Sequence, residues 1–172
     1  MKETSPQDHV DRIIAQWNRE RPDLDVGPMG ITGRLHRLSL QLGREVEAVL
    51  LQHGLSSSAF DVLATLRRAG TPYRLSPGEL LAMTMVSSGT MTNRIDQLEK
   101  SGLVERVHNP DDRRSVLIAL TETGFSTVEA AVTAHVENLH RLTSALCETD
   151  KSGIAELLRR FLSGLDDAER SP

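Results

Sequence analysis

A mainly α-helical protein is predicted by three features of the sequence. Apolar residues recur at a spacing of three and four along most of the chain, as they do in amphipathic helices. Aromatic residues make up 3% of the 172 residues, while Leu, Ala and Val are frequent, which is typical of helical proteins. Two short segments rich in Val, Leu and Ile, 103–107 and 116–120, are strand candidates. We therefore expect a helical protein that contains one β-hairpin.

The first part of the chain is predicted to form three helices. The first covers residues 6–20, and the second is long and ends at Gly54. Ser56 or Ser57 is placed to cap the third helix, which stops at Gly70. The apolar residues that define the first two helices are Val10, Ile13, Ile14 and Trp17, then Ile31, Leu35, Leu38, Leu42, Val46 and Val49.

Two further helices joined by a tight turn are predicted next. The sequence Ser-Pro-Gly-Glu at 76–79 supplies a capping serine, a proline suited to the first helical position and a glutamate that completes a capping box. A short helix to Met83 comes after it, and then a turn over 84–86. The second helix is expected to begin at Ser87 or Ser88 and to run to about residue 101. This arrangement is a helix-turn-helix.

The second of these helices has an apolar face for docking and a polar face of short side chains. Hydroxyl and amide groups near a helix N-terminus suit close approach to phosphates and base edges in a major groove. A helix of this kind on its own would more often be an ordinary solvated surface, so its interpretation depends on the segment after it. The apolar residues are Met91, Ile95 and Leu98, and the candidate DNA-binding residues are Ser88, Thr90, Thr92, Asn93 and Arg94.

A polar turn between the two strand candidates resembles the wing of a winged helix. It places Arg113 and Arg114 at the end of the hairpin, where they are candidates for contact with a narrow minor groove. Asp111 or Asp112 is placed to pair with one of them. The chain carries a net charge of −4, so DNA binding would depend on placed side chains rather than on a diffuse positive field.

Two long helices with apolar stripes close the chain. Either these stripes pack on each other, or they form the interface of a homodimer; we expect the homodimer because helix-turn-helix proteins usually bind two half-sites. The prediction is a single domain, 1–172, in which 1–54 and 122–168 form a helical dimerisation region and 55–121 form the winged helix-turn-helix lobe. The stripes consist of Val128, Val132, Val136, Leu139, Leu142 and Leu146, then Ile154, Leu157, Leu158, Phe161, Leu162 and Leu165.

The run SGTMTNRIDQLEKSGLVERVHNPDDRRSVLIALTETG resembles the MarR family of winged-helix regulators. The order of the predicted elements resembles that family across nearly the whole chain. The resemblance implies a homodimer held by N- and C-terminal helices, a recognition helix over 87–101 and wing contacts from Arg113 and Arg114. It also implies operator DNA as a partner and, usually, repression that a small molecule relieves.

A possible effector site begins with Asp61 and Arg68, which lie seven residues apart on one face of a mostly apolar helix. Such a pair forms either a solvated edge or the polar part of a pocket. The urate-responsive branch of the MarR family is similar at four positions, Trp17, Asp61, Arg68 and Arg106. That resemblance implies an anionic aromatic ligand such as urate or a related purine. We expect Asp61 to pair with Arg106 in the empty protein. Phenolic or organic acids are the alternative ligands.

Other classes of protein fit the sequence less well. It has no phosphate-binding glycine loop, no zinc-ligand spacing and no nucleophile with an assigned base, so we expect no enzyme, no metal and no cofactor. A winged helix used only for protein interaction is the other alternative. The single cysteine, Cys147, excludes an intrachain disulfide, and it is more typical of a small buried residue than of a redox sensor. Without a signal peptide or a membrane span, a cytoplasmic protein is expected.

Overall fold

A computed structural model describes residues 7–84, 91–110, 112 and 114–170 of the chain. These residues divide into two units, one up to residue 48 and one from residue 49 onward. The assignment of 1–54 and 122–168 to a dimerisation region, and of 55–121 to the winged helix-turn-helix lobe, stays a prediction. The elements in chain order are α1 (His9–Glu20), α2 (Pro28–Gln52), α3 (Ser57–Arg68), β1 (Arg74–Leu75), α4 (Pro77–Met83), α5 (Met91–Lys100), β2 (Val104–His108), β3 (Val116–Leu120), α6 (Glu122–Leu142) and α7 (Glu148–Arg170).

The start of α1 is fixed by a network of charged side chains. Asp8 is the N-cap, and its carboxylate accepts the backbone N–H of Asp11 at 2.9 Å while the Asp11 carboxylate accepts that of Asp8 at 2.9 Å. Arg34 of α2 reaches both carboxylates, with Nε 2.9 Å from Asp8 and Nη2 2.6 Å from Asp11. The pKa of Asp8 is lowered from its ordinary value, chiefly by the Asp11 N–H and then by Arg34. The network attaches the first turn of α1 to α2.

Small residues let α1 lie close to α2. A Cβ added to Gly30 would lie 3.3 Å from the Ile14 side chain, and one added to Gly33 would lie 3.3 Å from Val10. Val10 is buried at this contact. Val10 and Ile14, two of the four apolar residues that predicted α1, therefore pack against α2.

The second unit is organised around α3, which is capped by Ser56 as predicted. One face of α3 is fully buried, and α3 packs against α6. At the far end of this contact, Arg67 Nε donates to Glu129 at 2.7 Å and its guanidinium lies over the ring of Tyr73. The buried residues of α3 are Val62, Leu63, Thr65 and Leu66.

The helix-turn-helix begins as the sequence predicts. Ser76 caps α4, with both halves of the capping box to Glu79 formed and Pro77 in the first position. The apolar face of α5, Met91, Ile95 and Leu98, is buried as expected. The predicted turn beyond residue 84 and the predicted start of α5 at Ser87 or Ser88 lie outside the described residues.

The wing is an antiparallel hairpin of β2 and β3, in register from Val104 opposite Leu120 to His108 opposite Val116. A third strand, β1, pairs with the other edge of β3 and gives the order β1-β3-β2. The sequence did not predict β1, because a strand of two residues is too short to show an alternating pattern.

A tight junction joins the wing to α6. Thr121 caps α6 by accepting the backbone N–H of Gly124 at 2.9 Å, and its own hydroxyl donates to the carbonyl of Gly102 at 2.7 Å. Gly124 lies directly against the backbone of Leu103, where a Cβ would overlap the carbonyl oxygen and lie 2.8 Å from the carbonyl carbon. A glycine is therefore required in the Leu-Thr-Glu-Thr-Gly segment for steric reasons.

Candidate nucleic-acid interface and effector residues

The outer face of α5 carries the short polar side chains that the sequence predicts for DNA binding. Thr92 and Asn93 are exposed at the start of the described helix, and Lys100 is exposed at its end. Since the apolar face is buried, these groups point away from the core. Two other predicted DNA-binding residues, Ser88 and Thr90, lie outside the described residues.

Arg94 does not share that outer face. Its Nη1 atom is buried and has no hydrogen-bond partner among the described residues. The side chain lines a cleft of about 310 Å³ together with Ser56 and Ser58 at the start of α3. Arg94 follows Met91 by three residues and precedes Leu98 by four, so it lies on the flank of α5 next to the buried face. In the free protein Arg94 thus lies against α3, and its predicted DNA contact stays a prediction.

The tip of the wing is closed by Asp112. Its carboxylate accepts the backbone N–H of Arg114 at 3.0 Å, and its carbonyl accepts the backbone N–H of Ser115 at 3.0 Å. Asp112 thus binds the main chain of Arg114, whose side chain is exposed, and the expected pairing of an aspartate with an arginine side chain stays a prediction. Asp111 and Arg113 lie outside the described residues.

Arg106 joins the wing to α5. From β2, its guanidinium forms ion pairs with the carboxylates of Asp96 and Glu99 on α5. These contacts raise the pKa of Arg106 above its ordinary value, with the hydrogen bond to Asp96 as the largest cause. The expected pairing with Asp61 is therefore corrected, because α5 lies beside β2 and presents two carboxylates there. Sequence reasoning missed both partners, although an acidic pair three residues apart on a helix next to a strand arginine was the available signal.

Asp61 and Arg68 take different positions along α3. Asp61 is half-buried, and its carbonyl accepts the hydroxyl of buried Thr65 at 2.7 Å. Arg68 is exposed at the end of the helix, where its Nη2 donates to the backbone carbonyl of Met83. Arg68, which is predicted to bind a ligand, thus contacts the last residue of α4.

Trp17 lies on α1 in the first unit and is 43% exposed there. Asp61, Arg68 and Arg106 belong to the second unit. The expected pocket that unites all four residues stays a prediction. The apolar cleft of about 370 Å³ in the first unit is lined in part by Ile13, His36 and Arg37.

In the part of the chain that the structure covers, no group of three or more His, Cys, Asp or Glu side chains is placed to hold a metal ion. None of the helices described above is both long enough and apolar enough to cross a membrane.

Comparison with known proteins connects these features to one family. A model of the MarR family matches residues 53–115. The HTH-type transcriptional regulator PecS of Dickeya dadantii is 43% identical over 151 residues, which cover 88% of this chain and 91% of PecS.

Two solved structures are similar as well. A point mutant of Escherichia coli MarR in complex with operator DNA has a TM-score of 0.69 at 26% identity, over 85% of this chain and 97% of that one. Bordetella bronchiseptica BpsR, whose DNA binding is regulated by 6-hydroxynicotinic acid, has a TM-score of 0.62 at 29% identity, over 75% of this chain and 91% of that one. By sequence and by fold, this chain belongs to the MarR family of winged-helix transcriptional regulators and is not an enzyme.

Proposed function

We propose that this protein is a homodimeric repressor that binds operator DNA and is released from it by a small anionic aromatic ligand. The observation that carries the proposal is the arrangement of α5, whose apolar face is buried and whose polar face is exposed beside a formed wing. Urate or a related purine is the first candidate ligand, because the chain is similar to the urate-responsive branch at Trp17, Asp61, Arg68 and Arg106.

DNA binding uses the exposed groups of α5 and the wing. Thr92 and Asn93 contact base edges and phosphates in the major groove, and Lys100 contributes a positive charge. Arg114, held by the closed turn at Asp112, reaches the neighbouring minor groove together with Arg113. Ser88 and Thr90 remain predicted contacts near the start of the recognition helix. Operator DNA as the partner is supported by the MarR complex.

Homodimerisation is supported by the exposed face of α7. Leu157 and Leu162 are 63% and 60% exposed in the single chain, and Phe161 and Leu165 are exposed on the same helix. A contiguous apolar surface of this kind marks a protein interface. A second copy of the chain suits it, because two recognition helices then contact half-sites spaced by roughly one turn of DNA, about 34–36 Å.

The release of DNA follows from the ion pairs of Arg106. In the free protein its guanidinium offsets the charges of Asp96 and Glu99 on the recognition helix. An anionic ligand that binds Arg106 leaves these two carboxylates uncompensated, so they repel the DNA phosphates. Typical couplings of about 1–3 kcal/mol correspond to roughly 5-fold to 150-fold weaker DNA binding.

A phenolic or organic acid is the second candidate ligand. The DNA binding of BpsR responds to 6-hydroxynicotinic acid, which is both a hydroxylated aromatic compound and a carboxylic acid. A carboxylate of this kind could bind the Arg106 guanidinium in the same way as a urate anion. The two ligand classes therefore share one mechanism and are separated only by binding measurements.

The experiment has two parts. Fluorescence anisotropy with the duplex upstream of the protein's own gene, at several salt concentrations, measures DNA binding, whose affinity should fall as salt rises. Thermal-shift assays with urate, xanthine, salicylate and 6-hydroxynicotinate then identify ligands of the folded protein. The active ligand should release DNA from the wild type and from the control Arg44→Gln but much less from Arg106→Gln.

Each part has a result that contradicts the proposal. If no upstream duplex shows salt-sensitive binding, the chain is not an operator-binding repressor. The net charge of −4 would then favour the alternative, a winged helix used only for protein interaction. If the ligand releases DNA equally well from Arg106→Gln and wild type, the ion pairs of Arg106 do not transmit the signal.

A further inference from the structure

The C-terminal end of α4 depends on groups outside the helix. α4 has seven residues, and Leu80 is its buried residue. Its last carbonyl groups have no partners within a helix of this length, so other donors must bind them. Thr84 provides two of these donors. Its N–H donates to the carbonyl of Leu80 at 2.9 Å, and its hydroxyl donates to the carbonyl of Leu81 at 3.4 Å. The carbonyl of Met83 receives the guanidinium of Arg68.

Arg68 approaches α4 from a well-anchored helix. The turns of α3 that precede it contain Leu63 and Leu66, both fully buried, and α3 packs against α6. A cation at a helix C-terminus is also favourable for the helix dipole. Arg68 therefore connects the core of the unit to the first helix of the helix-turn-helix.

We infer that Arg68 is a positioning residue for DNA binding, because it holds the C-terminal end of α4 in place even when no effector is bound. This role adds to the proposed function. The measurement of DNA affinity that tests it rests on that function. It also gives the predicted effector a second route to the recognition helix. An anion that binds the Arg68 guanidinium removes the donor from Met83 and frees the end of α4.

The test compares Arg68→Ala and Arg68→Lys with wild type and with Arg67→Ala, a control on the same helix whose side chain binds Glu129 instead. Hydrogen exchange of the free protein measures protection of the Thr84 amide. Arg68→Ala should raise its exchange rate roughly 2-fold to 12-fold, the range that corresponds to one ordinary hydrogen bond. Arg68→Lys keeps one charged donor and should raise the exchange rate of the Thr84 amide less than Arg68→Ala does. Arg67→Ala should leave local exchange at Thr84 unchanged.

DNA affinity without effector is the second readout. Arg68→Ala should weaken it by a similar factor at every salt concentration. If Arg68 instead contacted a phosphate, the slope of affinity against salt would fall by about one unit, which would contradict a positioning role.

The two hypotheses fail in different ways. Unchanged Thr84 exchange in Arg68→Ala would overturn the inference whether or not the protein binds DNA. Absence of DNA binding by the wild type would overturn the proposed function, while the exchange result would still decide whether Arg68 holds α4.

Discussion

Replacing Gly124 by alanine should strongly destabilise the second unit. The added Cβ would overlap the carbonyl oxygen of Leu103. It would lie 2.8 Å from the carbonyl carbon of Leu103 and 3.2 Å from the Leu103 Cα. Ordinary contacts between carbon atoms are about 3.5–4.0 Å, so the backbone at the start of the wing would have to move by roughly 1 Å or more. Overpacking usually costs about 1–3 kcal/mol. Because the obstacle is backbone, we expect Gly124→Ala to reach the upper end of that range.

Urea unfolding at a fixed protein concentration measures this change in the free energy of unfolding. Gly43→Ala is the matched control, since a Cβ there meets nothing within 4 Å and α2 continues through the position. Alanine is favoured over glycine inside a helix by about 1 kcal/mol, so the control should be neutral or stabilising.

A loss of less than about 1 kcal/mol in Gly124→Ala would refute the reasoning, because it lies below the usual range for overpacking. The junction of the wing with α6 would then be looser than the structure describes. A normal stability combined with weaker DNA binding would refute it as well, since the steric argument predicts a loss of folding stability.

Three further predictions concern other parts of the chain. Ser76→Ala removes the N-cap of α4 and should lower the free energy of unfolding by about 1 kcal/mol in urea titrations. The lowered pKa of Asp8 means that its contribution is complete above its ordinary value of 3.8 and is lost as the pH falls through the lowered pKa. Amide protection of α1 should therefore decrease on acidification in the wild type and be low already at neutral pH in Asp8→Ala, which removes both the N-cap acceptor and the partner of Arg34. Leu162→Glu places a charge on the apolar face of α7 and should shift the protein to monomers in analytical ultracentrifugation; an unchanged dimer would exclude this face from the interface.

Local signals predicted much of the fold. The capping box at Ser76 and Glu79 involves residues three apart, so the sequence alone determines it. The wing hairpin and the buried face of α5 follow from short periodic patterns, which the structure confirms. The requirement for Gly124 could not be predicted, because it arises where α6 meets the backbone of Leu103, twenty-one residues earlier in the chain.

The candidate site was less predictable for the same physical reason. The sequence identified Arg106 and Arg68 but not their partners, which depend on how β2 lies beside α5 and how α3 lies beside α4. The neighbours of Arg94 were not predictable either, because a position on the flank of a helix can face solvent or, as here, a neighbouring helix. Helical periodicity gives the direction of a side chain but not the identity of the neighbour it meets.

The central claim is that the arginines assigned to the effector, Arg68 and Arg106, are engaged with the helix-turn-helix in the free protein, so effector and DNA compete. Isothermal titration of urate or 6-hydroxynicotinate, whichever raises the melting temperature, with and without saturating operator duplex tests it most directly. Coupling between two binding sites is reciprocal. DNA should therefore weaken effector binding by the same factor by which the effector weakens DNA binding. An effector affinity that is unchanged by DNA would contradict the account.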